Sequence, residues 1–175
     1  ISAGGVNYLS LKVFKGIPYL AYADAANGSK ATLLKYNAGS DSWENVGLAG
    51  FSDGWVGFTY LYIYDDGSAG GVPYIGINNG LNNSTLAVMK YNRLSGTWEN
   101  LGKSSLTSET YAYNAPLYVY DDGTTDGQPY IAFSSGFVGG YAIRTAARKY
   151  NKSTGNWDLL GNPEFPTNNP ADHSV

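Results

Sequence analysis

The sequence has no cysteine, a single histidine, and charged residues at only 14% of its 175 positions. Without thiols it can hold neither a disulfide framework nor a thiolate metal site. A serine–histidine hydrolase triad needs an imidazole base, and the one histidine, His173, is followed by only two residues. The 11 Lys and Arg are outnumbered by 14 Asp and Glu, for a net charge of −3, and they gather in no run. Nucleic acid is therefore not an expected partner, because phosphate binding needs a basic face. No apolar stretch reaches the roughly 18 residues of a membrane span. Helix-forming stretches are missing as well: the apolar spacing is close to two and glycine interrupts every candidate, so no helix is expected. The first residue is Ile rather than Met, so the chain is expected to be a mature product or a piece of a longer one.

What the chain has in quantity is 23 Gly, 16 Tyr and 4 Trp, a composition suited to strands and tight turns. It also repeats itself. KYNAGSDSWENVG (35–47) returns as KYNRLSGTWENLG (90–102) and KYNKSTGNWDLLG (149–161). A second marker, IPYLAYAD (17–24), returns as VPYIGINN (72–79) and QPYIAFSS (128–135). Pro18 to Pro73 is 55 residues, Pro73 to Pro129 is 56, and Trp43 to Trp98 is again 55. Trp98 to Trp157 is 59, the extra residues falling in SSGFVGGYAIRT.

Each copy reads as four short strands separated by turn signals. In the middle copy these are YLYIY, VPYIGIN, LAVMKYN and TWENLG, with DDGSAGG, NNGLNNS and RLSG between them. Four antiparallel strands recurring at this period is the pattern of a β-propeller blade, and an all-β fold of three blades follows. Trp43, Trp98 and Trp157 are expected to cover the seams between blades. Gly47, Gly102 and Gly161 are expected to turn the chain toward the next blade. Residues 1–52 form blade 1 with its connection, 53–114 blade 2 with its connection, 115–161 blade 3, and 162–175 a proline-bearing tail.

The wording of Tyr8–Ser52, through YLSLKVFKGIPYLAYAD, KATLLKYN and SWENVGLAGFS, resembles kelch-like propeller repeats of bacterial surface and secreted proteins. That resemblance implies a secreted or surface-displayed protein, and it carries no shared catalytic residues. Propellers close with typically four to eight blades, so three leave open sheet faces. Either the chain is a piece of a longer one, or two copies form a dimer that closes a six-bladed ring, blade 3 of each against blade 1 of the other.

The loops joining strands two and three, together with the blade connections, form one rim. It is rich in aromatics and short polar groups that do not follow the repeat, and Asp24, Asn27, Asp53, Trp55, Asn79, Asn82, Tyr111, Tyr113 and Tyr141 are its candidate ligand-binding residues. Stacking aromatics beside Asn, Asp and Ser suit a glycan. The reading that follows is a non-enzymatic, lectin-like binding module, with a scaffold segment binding a surface protein as the alternative. A polysaccharide-active enzyme is the remaining reading, and it would draw its carboxylates from Asp24, Asp53 and Glu109. On the opposite face, Asp65, Asp66, Asp121, Asp122 and Asp126 could offer oxygen ligands to Ca²⁺, although Asp-Gly is also an ordinary hairpin turn pair.

Overall fold

The computed structural model describes residues 2–80, 85–102, 106, 112–113, 115–135 and 144–161. Three antiparallel sheets carry the chain. The first runs β1 (Val6–Phe14), β2 (Ile17–Asp24), β3 (Lys30–Asn37) and β4 (Ser42–Asn45), in that spatial order. The second runs β5 (Thr59–Tyr64), β6 (Val72–Asn79), β7 (Thr85–Asn92) and β8 (Thr97–Asn100). The third holds β9 (Ala112–Tyr113), β10 (Leu117–Tyr120), β11 (Gln128–Ser135), β12 (Arg144–Asn151) and β13 (Asn156–Leu159), with β9 and β10 both paired to β11. The fold is all-β and its units are propeller blades, standing as an open series of three.

Two details depart from the expected pattern. Ala25–Asn27 forms one turn of 3-10 helix, capped by the Asp24 side chain at its start and by left-handed Gly28 at its end. The inner strand of blade 3 is broken into β9 and β10 around Pro116, whose ring removes a donor; its carbonyl still accepts from the Ala132 amide at 3.1 Å. Among the described residues no helix is long and apolar enough to cross a membrane.

Register explains why the repeat is written as it is. Pro18 stands opposite Val13, Pro73 opposite Ile63, and Pro129 opposite Val119. In each blade the third strand begins to pair one residue later, at Tyr19, Tyr74 and Tyr130. The proline thus sits where no third-strand acceptor awaits an N–H. Two residues before each proline, Gly16, Gly71 and Gly127 have φ of +79°, +58° and +59°. At Gly71 a Cβ would also come within 2.6 Å of the Tyr64 carbonyl oxygen. Gly71→Ala is therefore expected to cost about 1–3 kcal/mol, read as a drop in urea midpoint at unchanged slope.

The core lies at the seams. One apolar cluster joins Tyr19, Ala21, Leu33 and Val46 of blade 1 to Leu61, Ile75, Ile77 and Met89 of blade 2. The other joins Tyr74, Leu86 and Val88 of blade 2 to Val119, Ile131, Phe133 and Trp157 of blade 3. Every residue of β6, in the middle blade, is buried, whereas β1 is exposed along most of its length. A sheet that packs on both faces reads as an apolar run, which is why VPYIGINN lacks polar alternation.

The same bonds recur at both seams. Trp98 Nε1 donates to the Val46 carbonyl at 2.8 Å, and Trp157 Nε1 to the Leu101 carbonyl at 2.7 Å. Tyr19 donates to the Gly70 carbonyl at 3.1 Å, and Tyr74 to the Asp126 carbonyl at 2.6 Å. Gly47 lies beneath the Trp98 ring, where a Cβ would be 3.0 Å from Cδ1, so this glycine seats the indole besides turning the chain. Trp43 faces the uncovered side of blade 1, edge-on to Tyr36 at 5.6 Å.

Candidate functional site

The connection from blade 1 to blade 2 is zipped onto β3 before it departs. Val46 N donates to the Leu33 carbonyl, Phe51 N to the Ala31 carbonyl, and Val56 N to the Ser29 carbonyl, each at 2.9 Å. Buried Ser52 accepts from Ala31 N at 2.9 Å and donates to the Gly54 carbonyl at 2.7 Å. The Thr32 hydroxyl accepts from Gly50 N at 2.8 Å. These bonds hold Asp53, an exposed carboxylate, on a pinned loop.

Beside that loop is a cleft of about 390 Å³, lined by residues 48–53, Lys30 and residues 96–98. Its aromatic wall is a stacked pair, Phe51 on Trp98, with ring centroids 4.1 Å apart and planes 9° from parallel. The polar side chains of the lining are one carboxylate (Asp53), one ammonium (Lys30) and two hydroxyls (Ser52 and Thr97). Its volume is that of a small-ligand site, and its lining mixes apolar and polar groups in near-equal measure. Of the candidate ligand-binding residues, Asp53 alone lines it. Lys30, Phe51 and Trp98 were read as repeat framework, yet a signal was present: Lys30 occupies the register position held by Thr85 in blade 2 and Arg144 in blade 3.

The remaining rim residues are disposed differently. Asp24 is buried, and its carboxylate accepts from Ser2 Oγ at 2.6 Å, Asn27 Nδ2 at 2.9 Å, Ala26 N at 3.1 Å and Thr32 Oγ1 at 3.3 Å. Burial pushes its pKa up, but these four donors together hold it below the ordinary carboxylate value. Asp24 and Asn27 are thus brought together and both are engaged in the knot that ends β2. Asn79, at the register position of Asp24 in blade 2, is buried at the end of β6. Trp55 is 47% exposed, with its ring lying over Gly80 and its carbonyl accepting from Gly80 N at 2.9 Å. Tyr113 belongs to β9, paired with Ser134. Asn82, Tyr111, Tyr141 and Glu109 lie outside the described residues.

On the opposite face the doubled aspartates build turns and clasps. Asp65 Oδ1 accepts from Gly67 N at 2.9 Å and from Lys15 Nζ of blade 1 at 2.8 Å. Asp66 accepts from the Ser68 amide and hydroxyl and pairs with Arg93. Asp122 repeats that arrangement with Thr124 and with Lys152 at 2.7 Å, and Lys152 first, then Thr124, hold its pKa down to about 2. Asp126 pairs with Lys90 at 2.7 Å. Asp121 accepts from Gly123 N and from the hydroxyl of Tyr64, whose pKa burial and this carboxylate raise to about 12. Among the described residues no three carboxylate or imidazole side chains converge as a metal site would require. A calcium ion at either loop would first have to displace a lysine or arginine.

No known protein family matches the chain, and no curated protein matches it. Solved structures do. The chain is similar to a thermostable family-43 glycoside hydrolase at 15% identity and a TM-score of 0.55, covering 93% of this chain and 53% of that one. It is similar to an endo-1,4-β-xylanase from Bacteroides thetaiotaomicron at 13% identity and a TM-score of 0.58, covering 98% and 58%. It is also similar to an ulvan lyase, described as a new family of polysaccharide lyase, at 16% identity and a TM-score of 0.56, covering 88% and 43%. The chain thus spans about half the length of these structures, and at such identities what is shared is the fold. The finding corrects the reading of the chain as a non-enzymatic lectin-like or scaffold module: these three structures, which share its fold, are carbohydrate-active enzymes.

Proposed function

We propose that the chain supplies three blades of a propeller that acts on a polysaccharide, held across the cleft at Asp53. The observation that carries this reading is the cleft itself, where an aromatic stack, a carboxylate and an ammonium converge beside a pinned loop. The apolar face of a pyranose ring suits the Phe51–Trp98 wall, and Lys30 and Thr97 suit its hydroxyls. Asp53 is the carboxylate placed to exchange a proton with a glycosidic oxygen. Glycosidases of the usual kind need a second carboxylate, and our candidate is Glu109, on the connection to blade 3. The fold shared with glycoside hydrolases and a lyase supports a substrate of this class. Polymers of that size are met outside cells, so secretion or surface display belongs to the same proposal, as does the kinship with kelch-like repeats.

The test is turnover on a panel of neutral and uronate-containing polysaccharides, followed by new reducing ends and by absorbance of unsaturated products. At least one polymer is expected to be cleaved, and Asp53→Asn is expected to lower the rate about 100-fold or more. No cleavage across the panel, or unchanged cleavage by Asp53→Asn, would overturn the assignment.

A further inference from the structure

Blade 1 and blade 3 each present one face that no other blade covers, and the repeat shows what such a face normally meets. Leu11 and Val13 on β1 are 60% and 64% exposed, while Leu61 (counterpart of Leu11) and Val119 (counterpart of Val13) are 3% and 1% exposed and the remaining counterparts, Leu117 and Ile63, are partly buried against the cores. Those counterparts are buried because the preceding blade packs on them. At the other end, Tyr120 is 55% exposed, whereas its counterpart Tyr64 is 4% exposed beneath the following blade.

The directional contacts are unfilled in the same complementary way. At each formed seam an indole donates to the carbonyl just before a left-handed glycine, and at the first seam it also rests over that glycine. Trp98 does so at Val46–Gly47, and Trp157 donates to the Leu101 carbonyl just before Gly102. Blade 3 offers the next seat of this kind at Leu160–Gly161. Gly161 has the same positive φ, at +76°, and a Cβ there would meet nothing within 4 Å. Blade 1 offers the matching indole, Trp43, on its uncovered face. The tyrosine ladder continues likewise: Tyr130 follows Tyr19 and Tyr74, and Lys15 holds the place of the acceptors Gly70 and Asp126, one residue before a left-handed glycine.

We propose that these two faces are the halves of a third kind of seam, closed between two copies of this chain head to tail. Trp43 of one copy donates to the Leu160 carbonyl of the other over Gly161, and Leu11 and Val13 pack on the Tyr118–Tyr120 face. The operation is its own inverse, so one twofold axis makes both seams and six blades close, within the four to eight that close a propeller. Tyr120 is the one member without a counterpart. Blade 1 has a short Lys15–Gly16 turn where Tyr64 meets the Asp121 loop, so the Tyr120 hydroxyl stays in water. The inference stands on the seams alone and not on the polysaccharide reading.

Light scattering after size exclusion, at tens of micromolar chain, tests it. The wild type is expected at twice 18.7 kDa. Leu11→Lys combined with Val13→Lys is expected at a single chain mass with an unchanged near-ultraviolet circular dichroism spectrum, since both side chains already stand in water in one copy. Trp43→Ala is expected to weaken association at least tenfold. Leu94→Lys, at a wholly exposed hairpin tip away from the seams, is expected to keep the doubled mass. A wild type at the single mass overturns the proposal, and so does a lysine double variant that retains the doubled one.

Discussion

Trp98→Ala is expected to destabilise the protein by about 3 kcal/mol, the lower end of the cost of truncating a large core aromatic, because the indole is partly rather than fully buried. The indole does three things at once at the seam between blades 1 and 2. It stacks on Phe51 at 4.1 Å, packs against Tyr91 at 5.5 Å, and donates to the Val46 carbonyl. Removing it opens a cavity over Gly47 and leaves that carbonyl without its donor, so lost dispersion and an unmet acceptor add. Trp98→Phe keeps most of the volume and loses the N–H, and its cost should be smaller by at least half. The measurement is urea unfolding of wild type and both variants. A loss of similar size is expected for Trp157→Ala, which repeats the tyrosine contact and the carbonyl bond at the next seam and is itself buried. A cost below about 1 kcal/mol for Trp98→Ala would mean the seams are not held as described.

Asp24→Ala is expected to cost about 2–3 kcal/mol at neutral pH, because it strips a buried carboxylate from four donors and uncaps the turn at Ala25–Asn27. The pH dependence has a definite sign. Asp24 has a depressed pKa in the folded chain, so it contributes stability above its unfolded value of about 3.9, and that contribution is lost as pH falls through the folded value. The stability gap between wild type and Asp24→Asn should therefore narrow on acidification from pH 7 toward pH 3. A gap that is constant or widening over that range would mean the folded chain does not hold the Asp24 pKa below its unfolded value. Asp65, Asp66, Asp122 and Glu44 also have depressed pKa values and add to the acid sensitivity of both proteins, which is why the gap is the quantity to read.

Much of the fold could be read because the chain states it three times. A proline at the same register, a glycine two residues before it and a Trp at the end of each unit leave one architecture that satisfies all three copies. The four-strand unit, the strand order within it and the seam role of Trp98 and Trp157 followed from that, while the additional strand, β9, did not. The break at Pro116 was less visible, since the proline marks a boundary without telling which residues beyond it rejoin the ladder.

The site was legible only in part, for reasons of distance along the chain. Asp24 looked like a free rim carboxylate because Ser2 and Thr32, which help saturate it, come from other strands or the chain end. Asp66 and Asp122 meet cations 27 and 30 residues downstream, on hairpins whose place against the loop depends on the twist of the sheet. Phe51 and Trp98 each looked like packing residues, and they are; the stack they form becomes a cleft wall because Lys30 and Asp53 stand beside it. Repetition reveals what every blade shares, whereas a site is made where one blade departs, as at Lys30.

The most direct test of the account is hydrogen exchange at the indole N–H groups, followed by NMR in the intact chain. If blades are joined in series by an indole donating to a carbonyl, the N–H groups of Trp98 and Trp157 exchange slowly while that of half-exposed Trp55 exchanges quickly, and Trp43 joins the slow group when a second copy is seated. Fast exchange at both Trp98 and Trp157 would contradict the seams on which the architecture rests.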